Sequence, residues 1–478
     1  MVRRVSALLL LVAFVVGCGS SGGAGGGSTL KSTWVDARRN GVLERAPGEA
    51  LVDRTDLARR SAPVKQLALF AQFTDAHIRD EESPARVPFL DRYGGAFSST
   101  FRPQEALSPQ VLAATVGSID ALHPQAVIDS GDLIDNDQQN ELDQALAVLR
   151  GGTVNPNSGA PGYSGVQRAS NPDPLYYRPD VDAPRHPGLL AAAERPFHSP
   201  GLNAPWYPVV GNHDVLVQGE VAPTPALNAV ATGSRRLVSL EPGIRVSSAD
   251  ERFASRAVAE LLAGGGLPGP TVHTAPDPGR RLLQPGELVR RLRATAHVRG
   301  SGPLLDYSFN IGSSARGIVL DTVRRDQGSG GTLSPAQVEW LRGQLAAAGR
   351  RYVLVFTHQS LTSFPEAAPA LALLDRDPHV IAAIAGNSHK NSIEPRHSPA
   401  GGYWLITTSS LADYPQQARA FRLVRTANGR VALETWMIDH EDSDMAGVSR
   451  ELSYLDVQGG RPQGFEGTRL DRNARLYR

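Results

Sequence analysis

Leu67-Ala68-Leu69-Phe70-Ala71-Gln72-Phe73-Thr74-Asp75-Ala76-His77 is the stretch that decides the fold. Its first seven residues are apolar but for one glutamine and fit a buried strand. The run stops at Asp-x-His, a pair able to hold a cation. The same arrangement recurs along the chain. Residues 126–129 lead into Gly131-Asp132, 206–210 into Gly211-Asn212-His213-Asp214, 351–356 into Thr357-His358, and 380–385 into Gly386-Asn387-Ser388-His389. Further strands are expected at 317–320, ending at Asp321, and at 403–407, while Asn428-Gly429 breaks 421–439 into a hairpin. Helical spacing occupies 107–122 and 137–150, and Ser334-Pro335 supplies an N-cap and first helical residue ahead of 336–348. Strands alternating with helices, with polar chemistry at the strand ends, predict an α/β domain.

Taken singly the clusters say little, because Asp-x-His, Gly-Asp and isolated histidines are common. Five of them in order, each at a strand terminus, point to a metal centre. Divalent or trivalent ions of hard-to-borderline character take carboxylate oxygens and imidazole nitrogens together. Two such ions a few ångströms apart need a bridging carboxylate, because a shared anion offsets their repulsion. They also leave room for a bridging hydroxide that can attack phosphorus in line, with no protein nucleophile required.

The order and chemistry of these clusters resemble the calcineurin-like metallophosphoesterases, over about 65–440. The flanking Ser83-Pro84-Ala85-Arg86, Phe89-Leu90-Asp91-Arg92-Tyr93, Phe101-Arg102-Pro103-Gln104 and Tyr414-Pro415-Gln416-Gln417-Ala418-Arg419 look like a bacterial exported subfamily without an assigned substrate. The resemblance implies a four-layer αββα sandwich of two mixed β-sheets flanked by helices. It also implies two metal ions (Mn, Fe or Zn). Asp75, His77 and His389 would hold one ion, Asp132 would bridge, and Asn212 and His358 would hold the second with it. His213 would face the substrate phosphate and act as acid for the leaving group, with Asp214 orienting His213, and Asp135 and Asn136 would stand behind the ligands. The implied reaction is hydrolysis of a phosphorylated small molecule, a phosphodiester in slight preference to a monoester. Asn387 departs from the pattern, since the family closes with Gly-His-x-His. An asparagine oxygen can ligate but is neutral and a poorer donor than imidazole to zinc or iron. A weaker second site filled by a harder ion such as Mn²⁺, a site completed only with substrate, and a mononuclear centre all remain open. A working, retuned site is the reading adopted, because every other expected ligand is present. The rival is a degenerate relative that binds or senses a phosphorylated ligand.

Other polar residues have simpler readings. Arg86, Arg92 and Arg102 could clamp phosphate, but surface ion pairs explain them more simply. Lys390 and Asn391 are candidates for the pocket lining, Asp321 reads equally as a loop cap, and Tyr163, Tyr176 and Tyr177 read as loop anchors. His123, His186, His198, His273, His297, His379, His397 and His440 have no spacing that suggests ligation. Two Gly/Pro-rich interruptions, about 151–205 and 215–302 (the second with a helical piece at 249–262), are expected to wall the cleft.

Composition bounds the rest. With 41% hydrophobic and 20% charged residues the chain is globular, and a formal net charge of +1 gives no global field for nucleic acid or an anionic membrane surface. Arg3 and Arg4, the apolar run 7–16 and Val15-Val16-Gly17-Cys18 read as a signal peptide with a lipobox (1–18), Cys18 being the single cysteine and the lipidation site. The alternative is an ordinary secretory signal with an incidental cysteine. The expected product is exported and lipid-anchored to the outer face of the membrane. A tether and loosely packed segment (19–62) would precede the main domain (63–440), with a polar tail (441–478) after it.

Overall fold

The computed structural model describes residues 27–243, 269–326, 328–440, 443–460 and 463–478. The signal segment with Cys18 and the helical piece at 249–262 lie outside them.

Strand Tyr352–Phe356 shows how sequence sets the layers. Successive side chains of a strand point to opposite faces. Leu354 and Phe356 enter the core between two sheets, whereas Val353 and Val355 enter a second core beneath helices. Trp404 and Ile406 face inward in the same way, with Tyr403 facing outward. This strand lies inside a six-stranded sheet ordered Tyr307–Ile311, Ala315–Val319, Tyr352–Phe356, Val380–Ala385, Tyr403–Thr407, Ser392–Arg396. Helices Pro335–Ala348 and Ala368–Leu374 cover its outer face through Leu341, Leu371 and Leu374. The expected capping box is formed at Ser334 and Gln337.

A seven-stranded sheet packs against the inner face. Its order is Val52–Arg54, Ala474–Tyr477, Val431–Asp439, Gln417–Thr426, Pro63–Phe73, Val127–Asp129, Trp206–Pro208. Phe70 stacks on Phe421 within this sheet (centroids 4.8 Å apart) and meets Phe356 of the other sheet edge-on at 6.0 Å. Helices Ser108–Asp120 and Gln139–Arg150 add Val111, Leu112, Leu142 and Leu146 to the apolar interior that is continuous with this core. Both sheets mix parallel and antiparallel pairs, and the architecture is a four-layer α/β sandwich. Among the described residues no helix is long and apolar enough to cross a membrane.

Residues on both sides of the expected main domain join this frame. Val52–Arg54 pairs in parallel with Ala474–Tyr477, which pairs in turn with Val431–Asp439. Residues 441–478, expected as a polar tail, supply that inner strand and the 15-residue helix Asp444–Gln458. Met445, Val448, Leu452 and Leu455 form that helix's apolar stripe against Leu107, Leu189 and Leu190. The second interruption holds the helices Pro225–Ala231 and Pro285–Thr295, which its Gly/Pro content concealed.

Register explains why chemistry gathers at one edge. Phe73 aligns with Asp129 and Asp129 with Pro208, while Phe356 aligns with Ile384, next to Ala385 and its partner Thr407. The parallel strands therefore end level, and the loops after them open on the same rim. In open α/β sheets this carboxyl edge is where ligands bind.

Candidate metal centre

The loops that follow these strands hold unusual backbone. Asp75, His77, Asp132, Asn387 and His389 have φ of 52°, 45°, 52°, 63° and 56°. The left-handed region costs a non-glycine residue about 1–2 kcal/mol, so five of the seven expected ligands occupy it. Such strain persists only where surrounding structure enforces it, and it clusters at functional sites. The enforcement is visible. His77 and Ile78 donate backbone hydrogen bonds to Asp132 and Leu133 (3.0 and 2.9 Å), zipping the first two loops together. Glycine is required where loops touch. A Cβ on Gly211 would lie 2.1 Å from Asp132 N, and one on Gly386 would lie 2.0 Å from Thr74 Oγ1.

One ligand set consists of Asp75, His77 and His389, whose ligand atoms all lie within 4.8 Å of one another. His77 Nε2 and His389 Nε2 face each other at 3.2 Å. The opposite nitrogen of each ring meets a carboxylate: His77 Nδ1 is 3.0 Å from Asp135 Oδ1, and His389 Nδ1 bonds Asp413 Oδ2. The Nδ1 protons therefore point at carboxylates, and both Nε2 lone pairs point into the space between the rings. A cation between them, whether a proton or a metal ion, resolves that arrangement. Asp75 is buried, and its Oδ1 faces His389 Nε2 at 3.3 Å. This donor set fits a metal ion.

The second set is Asp75, Asp132 and His358. His358 Nε2 lies 3.2 Å from Asp132 Oδ2 and 3.1 Å from Asn212 Oδ1, while its Nδ1 donates to the Ser130 carbonyl (2.7 Å). Asp132 Oδ2 is also 3.8 Å from His77 Nε2. Two carboxylates, Asp75 and Asp132, thus stand between the sets, where the sequence had suggested Asp132 alone. Asn387 lies beside them. Its backbone N–H donates to Asp75 Oδ2 (3.1 Å), and the residue lines the cavity, its side chain making no hydrogen bond among the described residues.

The electrostatics belong to a site built for cations. Burial lowers the His358 pKa, but Asp132 and Asp75 outweigh it and raise the group to about 10. His389 is raised to about 9 in the same way by Asp75 and Asp413 against burial. Burial and the neighbouring His213 bring His77 down to about 4. Burial would raise Asp132 and Asp413. The histidines around Asp132, and Arg102 with His389 around Asp413, hold both well below the usual carboxylate range.

Behind the first set stand buried arginines. Arg79 pairs with Asp135 (2.6 Å) and Glu105 (3.1 Å), Arg86 with Glu105 (2.8 Å), and Arg102 with Asp413 (2.5 Å). Arg86 and Arg102 are therefore internal, contrary to their reading as surface ion pairs; Arg92 forms an exposed pair with Asp173 at 2.6 Å. Asp413 and Arg79 went unnoticed in the sequence. Arg79 lies two residues past His77 and Asp413 stands apart from every ligand motif, but charged residues in loops ordinarily face water.

Asp214 does not touch His213, the role expected for it. Its carboxylate accepts backbone N–H bonds from Gly211 (2.7 Å), Ile134 (3.0 Å) and Asp132 (3.1 Å), pinning two ligand loops together. Burial and nearby Asp132 raise its pKa to about 7. His213 is held instead by its Nδ1, 2.7 Å from the Asp135 carbonyl, and its Nε2 packs beside Gly219. Asn136 ties Gln218 in place (2.8 Å) and meets no ligand. Asn391 is buried against Arg419 (2.8 Å), exposed Lys390 does not line the cavity, and Asp321 pairs with Arg325 (2.5 Å) as a loop cap. Tyr176 packs edge-on against Phe101 at 5.0 Å, and Tyr177 donates to the Pro184 carbonyl, so both anchor loops.

A cavity of about 410 Å³ opens over the ligands and is lined by His77, Asp132, Asn212, His213, Asn387 and His389 with Arg102 and Asp413. Ser98, Ser99, Glu220, Ser329, Ser388 and Phe465 complete its walls. Among the described residues the second interruption contributes Glu220 to the lining and the first contributes nothing, so the wall expected from 151–205 is formed elsewhere.

No protein-family profile and no curated protein matches this chain. Among solved structures it is similar to a dimetal phosphatase from Danio rerio, with 14% identity and a TM-score of 0.40, over 79% of this chain and 100% of that one. It is also similar to the sulfate thiohydrolase SoxB from Thermus thermophilus in complex with glycerol, with 12% identity and a TM-score of 0.32, over 84% of this chain and 62% of that one. These likenesses are too distant to assign an activity.

Proposed function

We propose that the protein is a metal-dependent phosphoester hydrolase with a dinuclear centre. The observation that carries this reading is the pair of ligand sets sharing Asp75, with two imidazole lone pairs converging at 3.2 Å beneath a cavity. Asp75, His77 and His389 would hold one ion, and Asp132, His358 and Asn212 the other, with Asn387 able to add an amide oxygen. When bound, such ions supply Lewis-acid activation of water and neutralise phosphoryl oxygens. The chain's own residues do the rest. Asp135 and Asp413 fix the ring orientation of His77 and His389. Asp214 holds the loops carrying Asp132 and Asn212 in register. His213, anchored through Nδ1, lines the cavity, where its ring can give a proton to the leaving oxygen.

A phosphodiester suits the cavity better than a monoester. Among the described residues the only arginine or lysine in its lining is Arg102, which Asp413 already neutralises. A singly charged diester needs fewer cations than a doubly charged monoester. An exported, lipid-anchored location rests on the 1–18 segment and belongs to this proposal; radiolabelled palmitate on wild type and its absence on Cys18→Ser would support it. The direct test of function is to strip the protein with chelator, add back Mn²⁺, Zn²⁺ or Fe²⁺, and assay bis(4-nitrophenyl) phosphate against 4-nitrophenyl phosphate. Metal-dependent turnover favouring the diester is expected. No turnover with any ion would favour a phosphate-binding role instead.

A further inference from the structure

We infer that the alcohol arm of the substrate is an uncharged, hydroxyl-rich group of sugar or polyol character. This rests on the phosphoesterase reading and deepens it. Beyond the ligands, His213 and the Arg102–Asp413 pair, the cavity lining consists of four serines, one carboxylate and one aromatic ring: Ser98, Ser99, Ser329, Ser388, Glu220 and Phe465.

Their placement gives the cavity two flanks. Gly219 has φ of 69° and packs so closely on His213 that a Cβ would lie 2.4 Å from Nε2, which sets Glu220 beside the acid. The Glu220 carbonyl accepts the Gly328 N–H (3.0 Å), and the Ser329 carbonyl accepts from Gln359 (3.0 Å), so Glu220 and Ser329 form one fixed flank. On the other flank Phe465 meets the His389 ring at 6.1 Å, edge to face, and Arg102 donates to the Ser99 carbonyl (2.9 Å).

Chemistry selects the ligand. Hydroxyls and a carboxylate are partners for substrate O–H groups, and an aromatic face packs against the C–H face of a ring. A site built to hydrogen-bond hydroxyls discriminates strongly against analogues without them. Among the described residues, a second phosphate on the arm would find no arginine or lysine in this lining beyond the Arg102 that Asp413 neutralises. The same wall therefore disfavours polyphosphates.

The test compares two esters with one leaving group, ribosyl 4-nitrophenyl phosphodiester and ethyl 4-nitrophenyl phosphodiester, on the full metal-loaded protein. The kcat/KM ratio should favour the ribosyl ester by about tenfold or more, as expected of a few hydrogen bonds with a polar partner. Phe465→Ala and Glu220→Gln should each bring that ratio toward one. Turnover of both esters with no preference, or a preference that neither variant alters, overturns this inference and leaves the phosphoesterase reading standing. Failure to turn over either ester with Mn²⁺, Zn²⁺ or Fe²⁺ overturns the phosphoesterase reading, and this inference with it.

Discussion

Replacing Asp413 by asparagine separates charge from geometry at the first ligand set. Asp413 is 2% exposed, receives Arg102 Nε at 2.5 Å and Nη2 at 3.1 Å, and bonds His389 Nδ1. An asparagine oxygen can still accept the His389 proton, so the ring keeps its tautomer. What is lost is the negative charge that makes His389 a stronger donor and neutralises Arg102. Removing such a partner of a ligating histidine weakens metal binding about 10–100-fold, which is about 1.4–2.7 kcal/mol. Leaving Arg102 buried without its partner costs about 3–5 kcal/mol of stability. Isothermal titration of Zn²⁺ or Mn²⁺ into chelator-stripped protein should therefore show one of two sites weakened, with Tm lowered. Asp135→Asn should act likewise through His77. A folded Asp413→Asn variant that binds both ions within about threefold of wild type would refute the reasoning.

Other substitutions probe different parts of the site. Asn387→His adds an imidazole where an amide now lines the cavity, so zinc affinity at the second site should rise, by about tenfold or more, as expected for a stronger donor; unchanged occupancy by metal analysis would mean the side chain points away from the ion. His358 and His389, with pKa values of about 10 and about 9, keep their protons at neutral pH in stripped protein. Metal must displace these protons, so apparent affinity should rise with pH up to about 9–10 and level off above it. Titrations in buffers of different ionisation enthalpy should show release of close to two protons at pH 7, and none would contradict the assignment. Gly386→Ala, whose Cβ would press on Thr74 Oγ1 at 2.0 Å, should destabilise the protein by about 1–3 kcal/mol in urea. It should also lower metal content by displacing Asp75.

Much of this was legible in the sequence because the parallel strands end level. Every apolar run that stops at a ligand became a strand, and 380–385 and 403–407 matched to the residue. What stayed hidden had no local pattern. Asp413 follows a serine-rich turn and acquires meaning only through His389 and Arg102, 24 and 311 residues away. Arg86 and Arg102 read as surface because burial of a guanidinium depends on a partner from elsewhere. Asp214, next to His213 in sequence, serves the backbone instead, since its carboxylate takes one N–H from its own turn at Gly211 and two from the adjoining loop at Asp132 and Ile134. The helix Asp444–Gln458 did carry an apolar stripe, but polar residues dilute it.

The central claim is that two metal ions share the carboxylates of this rim and that hydrolysis depends on both. Metal content per chain and hydrolysis of bis(4-nitrophenyl) phosphate, measured together for wild type and Asp132→Asn, test it most directly. Asp132 lies 3.2 Å from His358 and 3.8 Å from His77, so its neutral analogue should hold fewer ions and lose turnover. Wild type should carry about two ions per chain, as a two-metal site requires, with metal-dependent turnover. A wild-type chain with no bound metal, or an Asp132→Asn variant with undiminished metal and turnover, would contradict the account.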